Sequence, residues 1–326
     1  AFLLVTSLFF LWGFITVLVD SLIPRIRELF TLTYFQAGLV QFAFFGAYFV
    51  LSIPAGFILS KIGYRKGIVL GLATMAIGCF LFYPAASYRE FTIFLMAYFT
   101  LAGGMTILQV AANPYVAALG SEVGASSRLN LSQAFNSLGT AIAPIVGAMF
   151  ILSEKVKTSD EIDALSNTAK EAYLISEASA VQTPFLGIAG FIILLALVFL
   201  FVKLPTILQK VPKGGYRKLL NKSSLVMGAI GIFLYVGAEV AIGSYLVNYF
   251  IDLELSQAIQ NSETMRSLSE TLLGNSIVEV SNLAIVGAFV TFYWSGAMIG
   301  RFIGAYLTKI IKPAKVLSAF AIGALV

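Results

Sequence analysis

Stretches of about 20 or more mainly apolar residues recur along this chain, and no other feature of the sequence restricts its fold as strongly. Eight are present: approximately Ala1 to Phe30, Phe35 to Ser60, Gly67 to Ala86, Phe91 to Leu119, Leu129 to Leu152, Pro184 to Lys203, Ser224 to Ile251 and Asn282 to Lys309. A helix rises about 1.5 Å per residue, so each stretch can cross a hydrocarbon core about 30 Å thick. Hydrophobic residues make up 59% of the 326 and charged residues 11%, and mean hydropathy is +0.92, so water is not the solvent for most of the surface. The expected fold is an all-α membrane protein of about eight complete helices plus part of a ninth. That ninth run, Val316 to Val326, is apolar but too short to span. Ala1 opens inside a hydrophobic run without Met or a basic flank, so both termini read as trimmed. The first stretch lacks the charged start and small-residue cleavage site of a signal peptide and reads as a retained helix.

The residue inventory removes several chemistries. There is no histidine and a single cysteine, Cys79, which excludes Ser-His-Asp and Cys-His nucleophiles, His-ligated metals and a disulfide framework. No phosphate-binding loop is present either, so the chain reads as a non-enzyme without a cofactor. A net charge of +5 would suggest nucleic acid in a soluble protein. Here it follows from which loops face the cytoplasm, and no nucleic-acid partner is expected.

Loop charges alternate. Lys61, Arg65 and Lys66, then Lys203 through Lys222, then Lys309, Lys312 and Lys315 mark three loops as cytoplasmic. The intervening polar segments 153–181 and 252–281 are rich in Asp and Glu and should face outside, each with room for a short amphipathic surface helix. The amino terminus is then cytoplasmic. Gly56-Phe-Ile-Leu-Ser-Lys-Ile-Gly-Tyr-Arg-Lys returns loosely as Gly304-Ala-Tyr-Leu-Thr-Lys-Ile-Ile-Lys-Pro-Ala-Lys, either by chance or because the chain holds two parallel repeats. The repeat reading divides it into a six-helix half at 1–203, a linker at 204–223 and a partial second half at 224–326.

Charges buried in a bilayer cost about 2.5–3.5 kcal/mol or more, so an intramembrane carboxylate faces the bundle interior and is a functional candidate. Asp20 and Glu239, in the first stretch of each half, are the two clear cases. The structural alternatives are pairing of Asp20 with Arg25 or Arg27, and of Glu239 with Arg301. Gln109 and Asn113 share one helical face, as do Asn130, Gln133, Asn136 and Thr140. Such stripes either bond helix to helix, at about 0.6 kcal/mol each, or meet a sugar, whose hydroxyls need both a donor and an acceptor, as an amide supplies. Pro114 removes a backbone bond and should kink its helix. Trp12, Tyr235 and Tyr245 offer rings for a sugar's apolar face, and Asn248 follows Tyr245 at helical spacing on the same stretch. Gly56, Lys61, Gly63, Arg65 and Arg301 are assigned to stabilising a conformation rather than touching substrate.

Gly56 to Lys66 resembles a degenerate copy of the Gly-x-Leu-x-Asp-x-x-Gly-Arg-Lys signature of the major facilitator superfamily, with Ser60 in place of Asp. Phe9-Phe-Leu-Trp-Gly with Asp20, Gln109-Val-Ala-Ala-Asn-Pro-Tyr, and Arg128-Leu-Asn-Leu-Ser-Gln-Ala-Phe-Asn-Ser are similar to blocks of its fucose/galactose/glucose cation symporter family. The resemblance covers essentially the whole chain and implies a major facilitator bundle of two pseudo-symmetric six-helix halves, here without its last helices. In the fucose branch an acid on the first helix and a glutamate on the fourth serve proton coupling and sugar contact; Asp20 matches the first, while Gln109 stands at the second. Gln109 to Tyr115 and Tyr235 to Leu246 look more like the glucose/galactose branch. The resemblance thus implies a hexose symporter working by alternating access. Gln109, Asn113, Asn130, Gln133 and Asn136, with Trp12, Tyr245 and Asn248, would hold the sugar. Asp20 and Glu239 would couple it to protons or sodium, with any sodium near Asp20. Sugar and membrane lipid are the expected partners, the state monomeric and the location a bacterial inner membrane. The rival readings are an exporter of hydrophobic compounds, a membrane enzyme and a sugar sensor without turnover.

Overall fold

The computed structural model describes residues 1–20, 33–150, 164–205, 207, 219–273 and 282–325, and no strand occurs among them. Helix α1 spans Phe2–Asp20. Helix α2, Tyr34–Tyr88, starts from a reciprocal cap in which the Thr33 hydroxyl accepts from the Gln36 amide at 3.3 Å and the Gln36 side chain accepts from the Thr33 amide at 2.9 Å. It ends at Arg89, which takes a left-handed backbone at φ 52° and closes the last carbonyls.

Two separate spans were expected within α2, and the structure joins them through one non-helical residue. Gly63 adopts φ 79° and ψ 167°, a conformation open to glycine because it lacks a Cβ. The chain reverses there. Helix α3, Phe91–Ala118, meets the first arm in parallel register, with Phe44 near Tyr98 and Tyr48 near Gln109. It meets the second arm in antiparallel register, from Tyr64 against Tyr115 to Phe82 against Phe94. The expected loop at 61–66 is therefore a hairpin compressed to a single glycine.

Helix α4 covers Ala125–Phe150 and α5 covers Asn167–Phe201. Ser166 caps α5 by accepting from the Ala169 amide at 3.3 Å. No separate surface helix occupies 167–181; that polar segment forms the opening turns of a continuous 35-residue helix, because its alanines and glutamates favour helix and nothing breaks it before Pro184. Pro184 itself is accommodated inside the helix. Residues 151–163 lie outside the described part of the chain.

Two compact units are present, one of 1–209 with 301–326 and one of 210–300. The first has a continuous apolar core in which Phe82 stacks on Phe185 at 3.8 Å and leans on Phe94 and Tyr98. Its helices approach at glycines: a Cβ on Gly13 would fall 2.4 Å from the Asn136 carbonyl oxygen, and one on Gly139 would fall 2.3 Å from that of Phe10. Small residues at such crossings are how apolar helices gain dispersion contact when lipid competes equally for their side chains. Because residues 6, 9 and 10 of α1 meet residues 132, 136 and 139 of α4 in that order, the two helices run parallel.

The second unit contains α6, Ser223–Asp252, then the short helices α7, Leu255–Asn261, and α8, Glu263–Leu273. These two fall in the segment expected to carry an amphipathic surface helix, and α8 carries an Arg266–Glu270 pair at 3.5 Å. Helix α9, Asn282–Ile310, runs through the end of this unit, and α10 is Pro313–Gly323. Among the described residues five helices, counting α2 once, are long and apolar enough to cross a membrane. Their outer faces carry bare aromatics, including Phe49 at 86% and Phe201 at 81% exposure. Such faces suit lipid, not water.

Candidate functional site

The middle of α1 gathers the polar faces of two other helices. Thr16 donates to the Trp12 carbonyl at 2.7 Å and reaches the Met105 sulfur of α3 at 3.5 Å. Met105, Gln109 and Asn113 follow at four-residue intervals and so share one side of α3. One turn back on α1, the Phe9 carbonyl accepts from the Asn136 amide of α4 at 3.0 Å, and Gly13 lies against that same asparagine. Residues 9–16 of α1 thereby meet α3 at Met105, on the side that carries Gln109 and Asn113, and α4 at Asn136.

The amides differ in what they have left to give. Gln109, half-buried, donates to the Tyr48 hydroxyl of α2 at 2.8 Å. Asn130 reaches the Thr308 hydroxyl of α9 at 3.5 Å, which ties it to a helix contact. Asn113 and Gln133 are half-buried and have no side-chain partner among the described residues. Each amide carries an acceptor and two donors, so the four of Gln109, Asn113, Gln133 and Asn136 keep several functions available to a polar ligand. Pro114 leaves the Val110 carbonyl without its usual donor, while α3 runs unbroken through it.

Trp12 is 4% exposed and packs on Phe9 with centroids 4.1 Å apart, so its ring is committed to the core. In the second unit Glu239 is half-buried on α6, and its backbone carbonyl accepts from the Tyr293 hydroxyl at 3.2 Å. Tyr245, also on α6, is 69% exposed. The side chains of Asp20 and Asn248 lie outside the described ones.

A second polar cluster sits at the end of the first unit that holds Gly63. Arg65 donates to the carbonyls of Phe199, at 3.1 Å, and Leu200, at the last turn of α5. Arg128 does the same for α3, donating to the carbonyls of Val116, at 3.1 Å, and Ala117, and to that of Ser121, just past the helix, at 2.9 Å. A cation suits the negative end of a helix and satisfies carbonyls that have no partner within it. Tyr115 donates to the Pro205 carbonyl at 2.9 Å, and Lys61 lies 4.2 Å over the Phe57 ring. Gly56 is half-buried on the first arm of α2. Arg65→Gln is expected to lower stability by about 1–2 kcal/mol, since it removes a charged donor from two carbonyls. An unchanged thermal midpoint in detergent would show that water serves those carbonyls equally well.

Arg301 of α9 donates to the Ser137 hydroxyl of α4, and Ser127 donates to the Ala305 carbonyl at 2.6 Å. Tyr48, Arg128, Ser137 and Thr308 were not singled out from the sequence. Tyr48 sits in an aromatic-rich run where no spacing separates it from its neighbours, and Arg128, though inside a quoted motif, had no visible acceptor until α3 was placed.

A family model described as Major Facilitator Superfamily matches residues 1–326. A glucose/galactose transporter of Brucella abortus biovar 1 (strain 9-941) is 45% identical over 324 residues, covering 98% of this chain and 70% of that protein. An L-fucose-proton symporter of Escherichia coli K12 is 36% identical over 330 residues, covering 98% and 70%. The crystal structure of FucP, a major facilitator transporter in the outward conformation, superposes with a TM-score of 0.78 at 35% identity, covering 98% of this chain and 74% of that one.

Proposed function

Because the chain belongs to the major facilitator superfamily, within its fucose/galactose/glucose symporter family, we propose that it is a cation-coupled symporter that carries a hexose such as glucose or galactose across a bilayer by alternating access. The observation that carries this reading is that residues 9–16 of α1 meet the amide-bearing sides of two helices, through Thr16 with Met105 of α3 and Phe9 with Asn136 of α4. Gln109, Asn113, Gln133 and Asn136 offer mixed donors and acceptors, which is what a polyhydroxylated ligand needs to leave water without orphaned hydroxyls. The names of the relatives, a glucose/galactose transporter and an L-fucose-proton symporter, point to the same ligand class.

Asp20 is the proposed coupling group, with Glu239 as the second candidate. A carboxylate in a closing, water-poor site must be neutralised, by a proton or by sodium, because an uncompensated buried charge costs several kcal/mol. Sugar movement is then tied to ion movement by that cost. The chain is an integral membrane protein, and we assign the Gly63 end of the first unit to the cytoplasm because Lys61, Arg65, Lys66, Arg128 and Lys203 collect there. The two-half organisation, with a boundary near 204–223, belongs to the same proposal.

One observation favours another cargo. A cavity of about 480 Å³ between α1 and α5 is lined by Phe10, Phe14, Leu18, Phe191 and other apolar side chains, as an exporter of hydrophobic compounds would require. The test is uptake of radiolabelled glucose and galactose into proteoliposomes holding the full-length protein, under a proton or a sodium gradient applied separately, with efflux of a hydrophobic dye as a parallel arm. Accumulation of either sugar under one gradient supports the symporter and names its ion. Dye efflux without sugar accumulation would replace it with the exporter.

A further inference from the structure

We propose that Tyr48 is a positioning residue for sugar recognition: its phenol holds the Gln109 amide in one orientation, so that the pair presents an acceptor and donors in fixed places to neighbouring hydroxyls of the sugar. This rests on the reading of Gln109 as a sugar contact given above.

The pair joins two helices. Gln109 Nε2, on α3, donates to Tyr48 Oη, on α2, at 2.8 Å, and both side chains are half-buried. The phenol is held in turn. Its ring leans on Phe44 with centroids 5.1 Å apart, Phe44 leans on Tyr98 of α3, and the Ser52 hydroxyl donates to the Tyr48 carbonyl. Close by, a Cβ on Gly103 of α3 would fall 2.6 Å from the Leu51 side chain, so α2 and α3 are in contact in this region.

A free glutamine loses side-chain entropy when a ligand immobilises it. Here the tether has already fixed the amide. One N–H of Nε2 goes to the phenol, leaving the second N–H to donate and Oε1 to accept, and Tyr48, which accepts from Gln109, keeps its own proton with no acceptor among the described residues. An acceptor beside donors is the complement of neighbouring hydroxyls, each of which both donates and accepts. Turning the amide over would exchange the roles within the pair but leave the same tether, so loss of the phenol oxygen frees the amide in either setting.

The test is sugar uptake by the full-length protein in proteoliposomes, with glucose and galactose as probes, for wild type, Tyr48→Phe, Gln109→Ala and the double variant, with thermal midpoints measured alongside. Tyr48→Phe is expected to raise KM roughly tenfold, the scale of one hydrogen bond, with maximal rate and thermal midpoint nearly unchanged. The double variant is expected to be no worse than the more damaging single one, because both remove the same contact. Tyr48→His, which keeps a ring with a polar tip, should recover part of the KM and supplies a second comparison with wild type if the phenylalanine variant does not assemble. An unchanged KM for Tyr48→Phe, or effects that multiply in the double variant, would overturn the proposal. So would a fall in thermal midpoint and maximal rate without a change in KM, which is the mark of a structural tyrosine. If Gln109→Ala changes KM and Tyr48→Phe does not, this inference fails alone; if the wild type neither binds nor transports either sugar, the symporter reading fails and takes this with it.

Discussion

Asp20→Asn is expected to abolish ion-driven accumulation of sugar while leaving exchange of sugar for sugar across the membrane intact. Asparagine keeps the size of the aspartate and, like the neutralised acid, both donates and accepts without charge, so the site can close without capturing an ion. One charge moved through about 100 mV is worth about 2.3 kcal/mol, which supports about fifty-fold accumulation; without coupling the ratio falls to about one. Accumulation and counterflow measured on the same vesicles separate the two activities. If the asparagine variant still concentrates sugar, Asp20 is structural and Glu239 becomes the carboxylate to replace.

The other large effect is steric. Gly139→Ala should force α1 and α4 apart, because its Cβ would fall 2.3 Å from the Phe10 carbonyl oxygen and 2.9 Å from the Phe14 amide nitrogen. Both are backbone atoms, so no rotamer change relieves the clash. Overpacking of this kind costs about 1–3 kcal/mol and sometimes more. Separation of the helices would also strain the Thr6–Ser132 contact at 3.1 Å and the bond from Asn136 to Phe9. A lower thermal midpoint in detergent is the expected readout, and a wild-type midpoint would show that the crossing is looser than it stands here. Gly13→Ala should act on function as well, since its Cβ would fall 2.5 Å from the Asn136 amide nitrogen and displace one of the proposed sugar contacts; a raised KM for sugar measures that.

The membrane class and the placing of the helices were legible in the linear pattern. Helix α6 at Ser223–Asp252 and α9 at Asn282–Ile310 lie within a residue of the apolar stretches that announced them. The family was legible as well, because its blocks around Trp12, Gln109 and Arg128 are local. Two polar segments continue otherwise than expected: 167–181, read as a polar segment with room for a short surface helix, is the start of α5, and the break at 61–66 reads as a loop and is a single residue.

The candidate site divides the same way. That Gln109 and Asn113 share a face, and Gln133 and Asn136 another, follows from 3.6 residues per turn and needs no partner helix. Whether an amide on such a face is spent or available is a property of what stands opposite. Asn130 gives one donor to Thr308, 178 positions away, and Gln109 one to Tyr48, 61 positions away, while Asn113 and Gln133 have no such partner among the described residues. Trp12, a stacking candidate by composition, is buried against Phe9. The sequence by itself determined the solvent, the helical periodicity and the family, because these are encoded in hydropathy and short-range spacing. Only the tertiary structure decided which polar groups have bonding capacity to offer a ligand, because a hydrogen bond requires two groups within about 3 Å in space, and separation along the chain does not specify that distance.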